Sequence, residues 1–229
     1  MNFPILILCG GRANRLKTIS KDIPKSLMPV NGKPFLYHLL KSIEKYGSRK
    51  VILCTGYLSG KIENFLENHT FNLQIEISNE SIPLGTGGAV KKAIDGFKTP
   101  FFVTYGDSYL DFQLDLLQRN YQNKKMSLMV IFKNDQRFDT SNVVLNGEKI
   151  IYCKSKLLTN ANYIDYGLSL LKPKAFNEYP EKFDLAVLLE NLSKNGNLDH
   201  VIINKRFYEI GTPESYAEFV KFFEEKGND

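Results

Sequence analysis

The sequence predicts an α/β fold, a Rossmann-like mixed but mainly parallel sheet with helices on both faces. In the first half, short continuous apolar runs alternate with longer segments whose apolar residues recur every three to four positions, the pattern of βαβ units. In the second half strand-like runs crowd together between fewer helices, which reads as a mixed continuation of the same sheet. A glycine pair, Gly10-Gly11, follows the first strand directly, where an open α/β sheet places its ligand crevice.

Strands are predicted over residues 4–9, 50–54, 74–78 and 100–105. Between them, helices begin near Pro34 (Phe35, Leu36, Leu39, Leu40 and Ile43 on one face), Ser59 (Ile62, Phe65, Leu66) and Gly85 (Val90, Ala93, Ile94). After residue 110 the spacing predicts a helix over 111–122 and strands over 126–132, 142–146, 149–153, 163–171 and 200–209. Helices follow over 184–194 and 213–225. Asn146-Gly147 between two apolar runs signals a hairpin, because both residue types tolerate positive φ. Tyr105, Tyr109, Tyr152, Tyr163 and Tyr166 sit in or beside strand runs, where aromatic side chains usually pack in a core.

With 229 residues, 43% of them hydrophobic, the chain can bury one sizeable core, and a single domain over 1–229 is expected. Thirty basic against 25 acidic residues are scattered along the chain, a bias towards anionic small ligands rather than the basic stripe of a nucleic-acid binder. Cys9, Cys54 and Cys153 show no CxxC or Cys/His spacing, which predicts reduced thiols. The N-terminal apolar run is too short for a membrane span and lacks a signal peptide's flanks, so a cytoplasmic protein with no membrane partner is expected, as monomer or homodimer.

The run Cys9-Gly10-Gly11-Arg12-Ala13-Asn14-Arg15-Leu16 fits neither GxGxxG nor GxxxxGK[ST], and the second strand ends without an acid, which argues against a dinucleotide site and a P-loop. Glycines there still let backbone N–H groups approach a phosphate chain that an arginine can neutralise. Asp22-Ile23-Pro24-Lys25-Ser26-Leu27-Met28-Pro29 sets one lysine between prolines on a loop returning to the sheet, suited to an α-phosphate that gains charge during transfer. Leu84-Gly85-Thr86-Gly87-Gly88 opens a helix, and Tyr105-Gly106-Asp107-Ser108 ends a strand.

In this order the motifs resemble those of the sugar-1-phosphate nucleotidyltransferases, the nucleoside-diphosphate-sugar pyrophosphorylases, and most nearly their short form, the heptose-1-phosphate guanylyltransferases. Matching positions are Gly10, Gly11, Arg15, Leu16, Pro24, Lys25, Leu84, Gly85, Thr86, Gly106, Asp107, Gly211 and Thr212. The resemblance implies the nucleotide-diphospho-sugar transferase fold and Mg²⁺-dependent transfer of NMP from an NTP, with GTP or CTP favoured, to a sugar 1-phosphate. Pyrophosphate is released, and the product is a sugar nucleotide of the kind used for surface polysaccharides.

By the same resemblance Cys9, Gly10, Gly11, Ala13, Asn14, Leu84, Gly85, Thr86 and Gly106 bind the nucleotide, while Arg15 and Lys25 act on the transferring phosphates. Asp107 and Glu209 ligate Mg²⁺, and Lys154, Asp165 and Gly167 bind the acceptor. The family pattern is not kept at Ala13-Asn14 (usually Gly-Thr), at Ser26 (a second Pro), at Tyr152-Cys153-Lys154 (often Glu-Glu-Lys-Pro), at Asp165 (often Asn) or at Glu209 (usually Asp). Ser26 is expected to loosen its loop slightly. Two alternatives stay open: a cytidylyltransferase acting on a non-sugar phosphorylated molecule, and a regulatory relative that has lost its chemistry.

Overall fold

The computed structural model describes residues 3–11, 22–45, 50–110, 114, 117, 121, 127–154, 156 and 158–226. The first half runs β1 (Ile5–Leu8), β2 (Pro29–Val30), β3 (Lys33–Pro34), α1 (Phe35–Lys45), β4 (Lys50–Thr55), α2 (Ser59–Glu67), β5 (Gln74–Asn79), α3 (Gly85–Ala93), β6 (Phe101–Tyr105) and β7 (Ser108–Tyr109). The second half adds β8 (Ser127–Lys133), β9 (Val143–Asn146), β10 (Lys149–Tyr152), β11 (Tyr163–Leu171), α4 (Leu185–Lys194), β12 (Leu198–Ile203), β13 (Tyr208–Glu209) and α5 (Pro213–Lys226). Most of the helix expected over 111–122 lies outside the described residues, as do Ala13, Asn14 and Arg15.

Nine of these strands form one sheet. β1 lies between β4 and β6, all parallel, and β5 extends the parallel set. β11 then runs antiparallel to β6 and to β8, while β12 returns parallel to β8. The β9–β10 hairpin joins through Tyr163. The fold class therefore stands as expected.

Both faces of β1 are covered, which is why its sequence is a continuous apolar run rather than an alternating one. Ile5 and Ile7 pack with Phe35, Leu36, Leu39 and Leu40 of α1 and Phe219 of α5. Leu6 packs on the other side with Val90 of α3 and Leu185, Leu188 and Leu189 of α4. Such burial is the dominant stabilising term, roughly 1.5–3 kcal/mol for each fully buried Leu or Ile side chain.

Three details differ from expectation. The segment predicted as one strand over 200–209 is two, because the polar Asn204-Lys205-Arg206 interrupts the apolar run. Arg206 instead makes a two-pronged ion pair with Glu218 of α5 at 2.7 and 2.6 Å. β13 consequently leaves the main sheet and pairs with β7.

The Pro24–Pro29 loop is more ordered than its prolines suggest. Lys25–Leu27 forms a 3₁₀ turn in which Ser26 is only 2% exposed, so the position expected to loosen the loop is packed. The Asn-Gly turn with both residues at positive φ is Asn31-Gly32 (44° and 73°), joining β2 to β3. At Asn146-Gly147 the asparagine stays in the strand opposite Lys149; Gly147 (φ 59°) and Glu148 make the turn, the Gly-first pattern of a type II′ hairpin.

Candidate functional site

The C-terminal ends of β1, β4, β5 and β6 open onto a cleft of about 580 Å³. Parallel strands end there on the same edge, so each contributes its first loop residues to one crevice. Cys9, Gly10, Gly11, Lys25, Gly85, Thr86, Gly106 and Asp107 of the sequence-predicted set all line it. Leu84 stands behind the lining and gives its N–H to Glu80 Oε2 at 3.0 Å.

Lys25 and Asp107 meet directly, Nζ to Oδ2 at 2.5 Å, with the side chains 17% and 28% exposed. Two local structures bring them together. The 3₁₀ turn fixes Lys25, and Asp107 sits in the turn between β6 and β7, its carbonyl accepting from Ile210 N–H at 2.9 Å. The β7–β13 pairing sets Glu209 opposite Ser108, beside Asp107. A β-carbon on Gly211 would lie 2.7 Å from Glu209 Oε1 and 3.8 Å from Lys25 Nζ, so the lysine and the second carboxylate share one neighbourhood.

That pair of carboxylates is a donor set Mg²⁺ accepts. The ion takes one or two protein carboxylates and fills its other positions with phosphate oxygens and water. Among the described residues no cluster of three or more His, Cys, Asp or Glu side chains could hold a metal.

The remaining predicted residues gather around Tyr105, the last residue of β6. Lys154 Nζ lies 5.7 Å from the centre of its ring. β11 carries a register shift between Asp165 and Ser169, and Gly167 occupies it at φ +79°, a conformation that suits glycine. The shift turns the Gly167 N–H onto Asp165 Oδ1 at 2.9 Å. A β-carbon on Gly167 would lie 3.5 Å from both Ser108 Oγ and the Tyr105 ring. Lys154, Asp165 and Gly167 thus surround Tyr105, next to the Lys25–Asp107 pair.

Burial pushes the half-buried Asp165 carboxyl up to about 6, while the Gly167 N–H and Lys154 pull the other way. The Tyr105 phenol is pushed well above its usual range by burial and then by Asp165, Asp107 and Asp184, so it is a neutral donor at pH 7. Burial also raises the Cys9 thiol, and brings Cys54 to about 12. Neither thiol is a nucleophile at neutral pH.

The start of α3 is not an open anion site. Gly87 and Gly88 N–H both donate to Phe183 O, at 2.9 and 3.1 Å, and Thr86 Oγ1 accepts from Leu185 N–H at 2.8 Å. This close seam explains the glycines, since a β-carbon on Gly88 would lie 2.1 Å from Glu181 O.

Sequence reasoning missed Glu80 and Tyr57. Glu80 follows β5, lines the cleft half-buried, and lies under Gly10 and Gly56. The available signal was position alone: it is the first residue beyond a parallel strand, where ligand contacts concentrate. Tyr57 stands two residues beyond the end of β4 and lines the same cleft. Among the described residues no helix is long and apolar enough to cross a membrane.

Comparison with known proteins agrees with this geometry. A family model described as "Nucleotidyl transferase" matches residues 5–226. The chain is 34% identical over 218 residues to the D-glycero-alpha-D-manno-heptose 1-phosphate guanylyltransferase of Campylobacter jejuni, covering 94% of this chain and 97% of the relative. The enzyme of the same description from Aneurinibacillus thermoaerophilus is 28% identical over 221 residues, covering 94% and 96%. The crystal structure of HddC from Yersinia pseudotuberculosis complexed with GMP-PN superposes with a TM-score of 0.78 at 28% identity, covering 96% of this chain and 99% of that one. A shared sheet, matching motifs at its strand ends and similarity along nearly the whole length lead to one statement: this chain belongs to the nucleotidyl transferase family.

Proposed function

We propose that the protein is a Mg²⁺-dependent guanylyltransferase that joins GMP from GTP to a sugar 1-phosphate and releases pyrophosphate. The observation that carries the transfer chemistry is the convergence of Lys25, Asp107 and Glu209 at the mouth of a cleft floored by Gly10. Glu80 carries the choice of base. An ionised carboxylate only accepts hydrogen bonds, and guanine is the base that offers adjacent donors, N1–H and N2–H₂, on one edge. Cytosine would set its N3 lone pair against the same oxygens. The two relatives described as guanylyltransferases support the same base, and their acceptor, D-glycero-alpha-D-manno-heptose 1-phosphate, is the first to be tried.

In this reading an oxygen of the acceptor's phosphate attacks the α-phosphorus in line, and pyrophosphate leaves on the opposite side. A phosphate dianion is already a nucleophile, so no general base is required. The obstacle is repulsion between two polyanions, and positioned cations lower it. Lys25 leaves Asp107 for the α-phosphate and stabilises the charge that grows there. Arg15, from its place in the sequence, neutralises the triphosphate, and Lys154 beside Tyr105 receives the acceptor's phosphate. Asp165 accepts from acceptor hydroxyls. Mg²⁺, held by Asp107 and Glu209, would screen charge on the bound phosphates.

Glu80 gives the test. Glu80→Gln replaces one acceptor oxygen with a donor, and kcat/KM for GTP should fall about tenfold or more while CTP is unaffected or improved. An unchanged preference among the four NTPs would remove Glu80 from base recognition.

A further inference from the structure

Two large apolar side chains at the cleft are open to solvent: Tyr57 is 50% and Ile82 67% exposed. Exposed residues of this size are ordinarily unremarkable when scattered. These two line the same cleft as Glu80, which lies between them in the chain order of its wall. The segment that presents Tyr57 is also strained, because Leu58 holds φ +61° without being glycine, aspartate or asparagine. A leucine, bulky though not β-branched, is disfavoured in that region.

The floor beneath is backbone. Gly56 and Gly10 lie close enough that a β-carbon on Gly10 would meet Gly56 N at 3.5 Å, and one on Gly56 would meet Glu80 Cγ at 2.9 Å. A flat glycine floor, one carboxylate at the edge and two apolar side chains at the rim describe a slot for a planar heterocycle. Nothing in the phosphate chemistry needs Tyr57 or Ile82.

We infer that Tyr57 and Ile82 are the apolar walls of the nucleobase slot, with the Tyr57 ring lying against the base. This rests on the nucleotide-binding reading of the cleft but not on the identity of the base. Stacking holds the ring plane whichever base is present; the Glu80 carboxylate then selects the edge. Base affinity and base choice therefore belong to different residues.

Isothermal titration calorimetry in magnesium buffer separates the possibilities, using wild type, Tyr57→Ala, Tyr57→Phe and Ile82→Ala with each of the four NTPs and with inorganic tripolyphosphate. Tyr57→Ala should weaken the preferred NTP by about tenfold or more, from the usual worth of an aromatic–base stack. Ile82→Ala should weaken it less, Tyr57→Phe should bind as wild type does, and tripolyphosphate should bind all four proteins alike. Unchanged NTP affinity in Tyr57→Ala would overturn the inference, and so would an equal loss for tripolyphosphate, which would put Tyr57 on the phosphate chain. If CTP or another NTP proves preferred and Tyr57→Ala weakens it, the slot stands while the guanine reading falls. Preference for GTP with no response to Tyr57→Ala gives the reverse.

Discussion

Lys25 is paired with Asp107 at the cleft, and this contact sets what its removal should do. Lys25→Ala should lower kcat by about 100- to 1000-fold, the usual loss for one preorganised charge donor at a reacting centre, with the far-ultraviolet circular dichroism unchanged. Near-normal turnover would end the role given to it. Asp165 makes a pH-dependent prediction. Its carboxyl is raised to about 6 in the folded protein, so between its ordinary value near 4 and pH 6 the native state holds more protons than the unfolded chain. Stability from this residue therefore falls as pH rises through that window, and Asp165→Asn should raise the melting temperature at pH 7 but not at pH 4. Acceptor binding should move the opposite way in the wild type. The acceptor KM should rise as pH drops below about 6, and Asp165→Asn should flatten that profile. A profile that keeps its inflection in the variant would assign it to another group.

At the scale of elements, the strand-and-helix order of the first half was legible because each run serves a doubly covered sheet, as Ile5, Leu6 and Ile7 show by pointing to opposite cores. Legibility failed where short elements depend on tertiary partners. β13 is two residues long and exists through its pairing with β7, yet it is what carries Glu209 to Asp107. No local pattern announces such a strand. The Asn31-Gly32 turn was readable by the same rule that drew attention to Asn146-Gly147, but the flanking prolines disguised it as loop. Lys25 and Asp107 were found by motif order, whereas Glu80 and Tyr57, which belong to no motif used, were not. The β2–β3 turn gives a stability prediction of its own. A β-carbon on Gly32 meets open space, so Gly32→Ala costs only the positive φ, about 1 kcal/mol. That corresponds to about 2–4 °C in the melting temperature of a protein this size, with kcat retained. A larger fall accompanied by loss of turnover would show that the hairpin governs Lys25.

Across the whole molecule, one edge of the sheet does the work. The parallel strands β1, β4, β5 and β6 deliver backbone glycines, Glu80 and Asp107 to the cleft proposed for the nucleotide donor. The antiparallel β11, through its register shift, delivers Asp165 and Gly167 to the side proposed for the acceptor. Tyr105 stands where the two meet, with Lys154 over its ring. In the proposed reaction donor and acceptor phosphates would meet beside Tyr105, reached from opposite halves, as an in-line displacement requires. The most direct measurement offers the purified protein ATP, CTP, GTP and UTP together with magnesium and a panel of hexose and heptose 1-phosphates, and identifies products by mass spectrometry alongside pyrophosphate release. The expected product is a GDP-linked sugar with stoichiometric pyrophosphate. A product carrying another base, or no nucleotide sugar from any acceptor in the panel, would contradict it.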